Sequence, residues 1–273
     1  MELLIISATP KTEGITYSFV KQAETTATEL SASFETIRLS DLGIAKCKMC
    51  NDGWGICFGQ HRCAFGDSDG FNELQEKMQA ASAYIYISPV YWGEVSEEMK
   101  VFLDKFRRCQ ATKQWDSRVQ EVSFLKDKPS IVVAVAGGGG GGIISSFENM
   151  ERIINHMDGD SWSRETTGIF DWIAVNRWNQ DYKRDAFASA LTRLIQINSM
   201  PRPMAVKALP EYRLEVEFDG GESRIFDMAG YIEMPKYAEL KDVALFNNVS
   251  LANFWVQWRP QLHVAVEVLY ASV

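Results

Sequence analysis

The chain is 273 residues long, with 46% apolar and 23% charged residues and a net charge of −8, which is the composition of an ordinary folded protein and excludes global disorder. That length suits roughly one to two domains and can bury a core without disulfides. The acidic balance argues against non-specific binding to nucleic acid or an anionic membrane surface, the opening residues lack the basic flank of a secretion signal, and no apolar run approaches the ~18 residues that span a bilayer, so the expectation is a cytoplasmic protein with neither nucleic acid nor membrane as partner.

Strand-like and helix-like patterns alternate over the first two hundred residues. Glu2 to Ser7 is a short apolar run that suits a buried parallel strand. Phe19, Ala23, Ala27 and Leu30 then recur at helical spacing, and Glu35 to Leu39 reads as a second strand. A cysteine-bearing stretch precedes a helix over Phe71 to Ala81. Ala83 to Ser88 is the third strand, followed by a helical face of Val95, Met99, Leu103 and Phe106. Ser130 to Ala136 is the fourth strand, with a helix through Met150 and Ile154 after it. Ile169 to Val175 is the fifth strand, and Phe187, Leu191, Leu194 and Ile195 mark the last helix of this part. Such interleaving predicts an α/β fold, a doubly wound five-stranded parallel sheet, whose ligands bind at the carboxyl ends of the strands.

Pro201-Arg202-Pro203 ends that helix and suits a linker. Beyond it, Leu214, Val216 and Phe218 alternate with acids, Asp219-Gly220-Gly221 signals a hairpin, and Glu222 to Met228 returns. Asn253 to Trp258 and Leu262 to Tyr270 read as two more strands. The predicted division is a first domain over residues 1–200 and a small α+β domain over 205–273, the latter with six basic and ten acidic residues, net −4.

Three strand-end loops and the cysteine stretch carry the chemistry. After the first strand, Ser7-Ala8-Thr9-Pro10-Lys11-Thr12-Glu13-Gly14-Ile15-Thr16 offers hydroxyls, a cation and a flexible glycine at a helix start, a setting suited to phosphate. It lacks the Gly-Lys-Ser/Thr ending of a Walker A loop, and the alternative is an ordinary turn with a Ser/Thr cap. After the third strand, Ser88-Pro89-Val90-Tyr91-Trp92-Gly93 combines a stiff turn, two aromatics and a glycine. After the fourth come six glycines, Gly137 to Gly142, with Asp158 and Asp160 about 20 residues on. An all-glycine run matches any glycine pattern, so a dinucleotide fingerprint is not inferred.

Cys47-x2-Cys50-x6-Cys57-x5-Cys63 places four thiols in seventeen residues, with Cys109 apart. The set could hold zinc or a 4Fe-4S cluster, or stay free or disulfide-forming. His61 reads as an exposed loop residue, Asp67 and Asp69 as helix-cap acids, and Trp162, Trp172 and Trp178 as core or as a subunit interface.

The first loop resembles the Gly-Ser-Pro-Arg-Lys-x-Gly-Asn-Thr phosphate loop of the NADPH-dependent FMN reductase and iron-sulfur flavoprotein families, through Thr9, Pro10, Lys11, Gly14 and Thr16. Ala8 and Ile15 replace the usual Gly and Asn. The third-strand loop resembles their Ser-Pro-x-Tyr-x-Gly isoalloxazine cradle, and Glu97 to Lys105 their following helix. The cysteine spacing is similar to their compact motif, with four extra residues in its second gap.

The resemblance covers residues 1–200 and implies a flavodoxin-like fold binding FMN. It implies phosphate contacts from Thr9, Lys11, the Ile15 backbone and Thr16, and ring contacts from Pro89, Val90, Tyr91, Trp92 and Gly93, with Gly137 and Gly138 at the ring edge. It further implies a flavin-dependent oxidoreductase with NAD(P)H as co-substrate, an unidentified electron acceptor, a 4Fe-4S cluster on Cys47, Cys50, Cys57 and Cys63, and a homodimer or larger assembly. No catalytic side chain is expected, because the flavin supplies the chemistry. The alternatives are a non-catalytic electron carrier and a regulatory protein that has lost the flavin. Residues 205–273 resemble a small bacterial domain family of unassigned function through Tyr212-Arg213-Leu214, Phe218-Asp219-Gly220, Phe226-Asp227 and Val268-Leu269-Tyr270.

Overall fold

The structure is a computed structural model that describes residues 2–111, 123–126, 128–157, 160–161, 173–252, 254–259 and 261–271. The chain divides into two compact units, Met1–Ile195 and Gln196–Val273.

In the first unit, β1 (Glu2–Ser7) lies between β2 (Ser33–Arg38) and β3 (Ala83–Tyr91), and β5 (Pro129–Val135) lies on the other side of β3. All these pairs are parallel. The outer position is shared by β6 (Asp160–Ser161), beside the start of β5, and β7 (Ala174–Val175), beside its end. Of the predicted fifth strand, Ile173 to Val175 are described and Ile169 to Trp172 lie outside the described residues. The order is that of a flavodoxin-like doubly wound sheet.

The near-continuous apolar runs follow from burial on both faces. Leu4, Ile6, Tyr84, Tyr86, Val132 and Ala134 meet α4 (Phe71–Ala80), α5 (Glu97–Gln110) and α6 (Ile143–His156). Successive residues of a strand point to opposite faces, so Leu3, Ile5, Ile85, Ile87 and Val133, all fully buried, face the side of α1 (Ile15–Glu29) and α7 (Gln180–Asn198). There the Phe19 and Phe187 rings meet at 5.7 Å. Each such buried side chain contributes about 1.5–3 kcal/mol. Two short helices, α2 (Leu39–Leu42) and α3 (Cys57–Gln60), punctuate the link from β2 to α4.

The second unit holds two antiparallel sheets. Its first is β8 (Pro203–Leu209), β9 (Arg213–Phe218) and β10 (Ser223–Asp227), with β9 central. Its second is β11 (Ser250–Ala252), β12 (Trp255–Arg259) and β13 (Leu262–Ala265). The hairpin at Gly220 and Gly221 forms, with φ of 102° and 81°. Two readings of the sequence need correction. β8 begins at Pro203, so the supposed linker is partly strand; the missing proline N–H is tolerated at the first residue of an edge strand. The second half of the Leu262 to Tyr270 run is a helix, Val266–Ala271, and a short apolar run does not by periodicity alone distinguish strand from helix.

Candidate functional site

The parallel register brings three strand ends into one row, Ser7 beside Ile87 and Ile87 beside Val133. Neighbouring strands are about 4.8 Å apart, so the three turns that follow share one edge.

The first turn is built by its own hydroxyls. Ser7 Oγ accepts from the Thr9 N–H (3.3 Å), and Thr9 Oγ1 accepts from the Lys11 N–H (3.3 Å). Thr9 is buried, whereas Lys11 is exposed and Ile15 and Thr16 are half-buried. Gly14 caps α1 with φ 89°, no side chain caps the helix, and its first turn carries no acid. The first N–H groups of a helix have no partner within it. Here no side chain takes them, and they stand with the positive end of the helix dipole at the strand edge.

The second turn differs from its predicted form. β3 does not stop at Ser88 but continues to Tyr91 and turns back through β4 (Glu94–Val95). Trp92 (φ 53°) and Gly93 (φ 88°) are the two central residues, the geometry of a type I′ hairpin, whose twist matches that of its strands. Pro89 and Val90 are therefore buried strand residues, Tyr91 is 46% exposed, and Trp92 is fully exposed at the tip. Ser96 ties this turn to the first: its hydroxyl donates to the Ala8 carbonyl (3.3 Å) and caps α5 at the Met99 N–H, while its own N–H reaches the Pro89 carbonyl (3.1 Å). Sequence reasoning missed Ser96; a Ser followed by Glu97 and Glu98 is a helix-start signal that could have found it.

The third turn is the glycine run. A Cβ added at Gly137 or Gly138 would meet nothing within 4 Å, so the chain itself does not require glycine at either position. The glycines that the chain itself requires are others. Gly140 and Gly142 have φ of 88° and 77°, and a Cβ on Gly142 would lie 2.1 Å from the Gly93 Cα. The hydroxyls of Ser145 and Ser146 donate to the Gly93 carbonyl at 3.4 and 3.3 Å. The hairpin tip is thus clamped to the start of α6. A side-chain knot at Asn176 and Asn179 borders the run, and Trp178 lies 3.5 Å from the position of a Cβ on Gly139. Trp178 is exposed and stacked by Arg177, not core; Trp162 and Trp172 lie outside the described residues.

Cys47, Cys50, Cys57 and Cys63 all line one cavity of about 100 Å³, while Cys109 is buried elsewhere. Among the described residues no three His, Cys, Asp or Glu side chains stand as a ready metal-ion site. The cavity also meets a buried ion pair, Lys105 with Asp69 (2.5 Å). Asp69 holds three segments together, accepting from Lys105 on α5, from the Ala45 N–H before the first cysteine (2.9 Å) and from the Phe71 N–H at the start of α4 (3.2 Å). Its role therefore exceeds that of a helix cap. Asp67 accepts from the Asn72 amide and from Arg62, and the Asn72 hydrogen bond in particular holds its carboxyl below the usual value. His61 is half-buried, not exposed.

No helix among the described residues is long and apolar enough to cross a membrane. The family described as NADPH-dependent FMN reductase matches residues 1–157, and one described as a protein of unknown function, DUF2442, matches residues 203–273. An iron-sulfur flavoprotein of Methanocaldococcus jannaschii is 33% identical over 107 residues, 39% of this chain and 52% of that protein. An iron-sulfur flavoprotein of Methanosarcina thermophila is 30% identical over 105 residues, 38% of this chain and again 52% of that protein. The chain thus spans about half the length of these curated relatives. Among solved structures, an FMN-dependent NADH-azoreductase of Bacillus anthracis in complex with FMN superposes with a TM-score of 0.51 at 15% identity, over 71% of this chain and 99% of that one. A flavone reductase does so at 0.50 and 14% identity, over 89% of each chain. These two likenesses concern the fold, whereas the family match spans more than half of the sequence: the chain belongs to the NADPH-dependent FMN reductase family.

Proposed function

We propose that the protein is a flavin-dependent oxidoreductase that binds FMN across its three strand-end turns, takes reducing equivalents from NAD(P)H and passes them to an acceptor yet to be identified. The observation that carries this reading is the start of α1, with no side-chain cap and no acid in its first turn, one strand away from an exposed aromatic hairpin. The first suits a phosphate and the second a flat ring, as a mononucleotide requires. Bound FMN would supply two-electron chemistry between nicotinamide and acceptor.

Lys11, Thr16 and the Ile15 N–H hold the phosphate in this reading, and Thr9 shapes the turn from beneath. Tyr91, Trp92 and Gly93 face the ring, Pro89 and Val90 set the hairpin's position, and Gly137 and Gly138 leave room at the ring edge. Residues 1–200 are the flavin-binding domain and 205–273 a separate module for protein contact. The assembly is a homodimer or larger.

The cysteine cavity suits a 4Fe-4S cluster through its four thiols, held by Cys47, Cys50, Cys57 and Cys63. Met49, Asn51, Asp52 and His61 in the same stretch adopt positive φ, a costly backbone that bound ligands help to hold. Anaerobic purification followed by iron analysis and a visible spectrum tests the cluster; absence of iron overturns it.

The flavin reading is tested by titrating apoprotein with FMN. Thr16→Val is expected to weaken binding by roughly ten- to a hundred-fold through one lost charge-assisted hydrogen bond, and Trp92→Ala by up to about tenfold through lost ring contact. Unchanged affinity in both variants overturns the site. Steady-state NAD(P)H oxidation separates a reductase from a mere carrier, which would show almost none.

A further inference from the structure

A groove of about 630 Å³ runs beside the hairpin, between the cysteine stretch and α5. Its size is that of a small-molecule site. Tyr91 and Cys47 line it, with Val95, Val101 and the half-exposed Met49 as apolar wall. The polar wall is cationic: Lys46, Lys100, Arg107 and Arg108 against Glu97 and Asp104, a surplus of two positive charges in a chain whose net charge is −8.

Two of those cations are taken by the two carboxylates. Lys46 pairs with Glu97 at 3.5 Å and Lys100 with Asp104 at 3.1 Å. Arg108 reaches across to the Met49 sulfur at 3.6 Å and so joins the helix to the loop. Arg107, half-buried on the last turn of α5, makes no ion pair among the described residues. A guanidinium can grip a planar anion through two parallel hydrogen bonds, and Tyr91 and Met49 suit a flat ring beside it.

We infer that this groove is a second ligand site, for a flat aromatic molecule bearing an acidic group, which Arg107 grips while its ring lies along Tyr91, Met49 and Val101. Such chemistry has two sources, the adenosine phosphate half of the nicotinamide nucleotide and an acid-bearing aromatic acceptor. Binding itself does not depend on the flavin; the role as a substrate site rests on the function proposed above.

The test is calorimetric titration of the full chain, as purified, with anthraquinone-2-sulfonate and with neutral menadione. Arg107→Glu is expected to weaken sulfonate binding at least tenfold and to change menadione binding less than twofold. Val101→Trp, which fills the groove, is expected to weaken both. Added salt should weaken the sulfonate alone, because the attraction is screened. Adenosine 2′,5′-bisphosphate that displaces the sulfonate assigns the groove to the nucleotide; failure to displace it assigns the groove to an acceptor. Sulfonate affinity unchanged by Arg107→Glu overturns the inference. So does a change of sedimenting mass in that variant without sulfonate binding by the parent, which would make the groove a subunit interface. Flavin content measured on the same samples keeps the outcomes apart: loss of FMN binding in the parent chain sinks the proposed function, and an indifferent Arg107 sinks only the groove.

Discussion

The strand-end turns and the cysteine stretch both border α5, yet they are held in different ways. The turns are fixed by ladder hydrogen bonds, a two-residue hairpin, a glycine-on-glycine contact at Gly93 and Gly142, and hydroxyl-to-backbone bonds from small side chains such as Ser7, Thr9 and Ser96. The cysteine stretch, between β2 and α4, belongs to no sheet and is fixed by side chains, above all the Asp69–Lys105 pair. A site on strand ends is preformed by the fold itself, while one on a long connection needs dedicated buried polar groups and any ligand it carries.

The comparison predicts different responses to substitution. The largest effect belongs to Lys105→Met. Removing one partner of a buried pair strands the other charge, at about 3–5 kcal/mol, so the urea midpoint should drop sharply and the cysteines should react faster with a thiol reagent. If thiol reactivity stays at the parent value, the pair does not anchor the loop. Gly142→Ala comes next, because its methyl runs into Gly93 backbone at positive φ. Overpacking typically costs about 1–3 kcal/mol; FMN affinity should fall with stability, and Gly138→Ala, with open space around it, should leave stability unchanged. Equal melting temperatures for the two alanine variants would dissolve the proposed clamp.

Smaller effects sharpen the same contrast. In the sheet under the turns, the fully buried Tyr86 hydroxyl has no hydrogen-bond partner among the described residues, and burial drives its pKa well above the ordinary value. Tyr86→Phe should therefore be neutral or stabilising by up to about 1 kcal/mol in chemical denaturation; a clear loss of stability would reveal a partner in solution. The cysteine stretch should instead be sensitive to acid. The Asp67 carboxyl titrates below its ordinary 3.8 in the folded chain, chiefly through Asn72. A depressed folded pKa gives stability that is present above the unfolded value and lost as pH falls through the folded one. Asp67→Asn should accordingly flatten the stability profile below about pH 4 and leave neutral pH little changed, because the group is exposed and screened.

Much of the first unit was legible because periodicity and turn residues agreed. Leu3 to Ile6, Ile85 to Ile87 and Ile131 to Val135 read directly as doubly covered strands, and the strand-end rule then located the loops. The hairpin was not legible. Trp92 occupies a left-handed position that Asn or Gly usually fills, so the two-residue turn carried no local signal, and Pro89 seemed to end a strand that in fact runs on. The anchor of the cysteine stretch was half legible. Asp69 looked like a cap and bonds the Phe71 N–H as one does, but its partner Lys105 is 36 residues away, and a long-range ion pair leaves no spacing to read. The same holds for Gly142, whose neighbour Gly93 is brought up by the sheet.

Ser96 has a consequence beyond capping a helix. Its single oxygen serves Ala8, 88 residues earlier, while its amide closes the hairpin. The two turns therefore share a mechanical pivot. A molecule that seized one end of the shelf would stiffen the other without touching it, and the Ser96 amide proton should be where that stiffening is first felt in exchange with deuterated solvent.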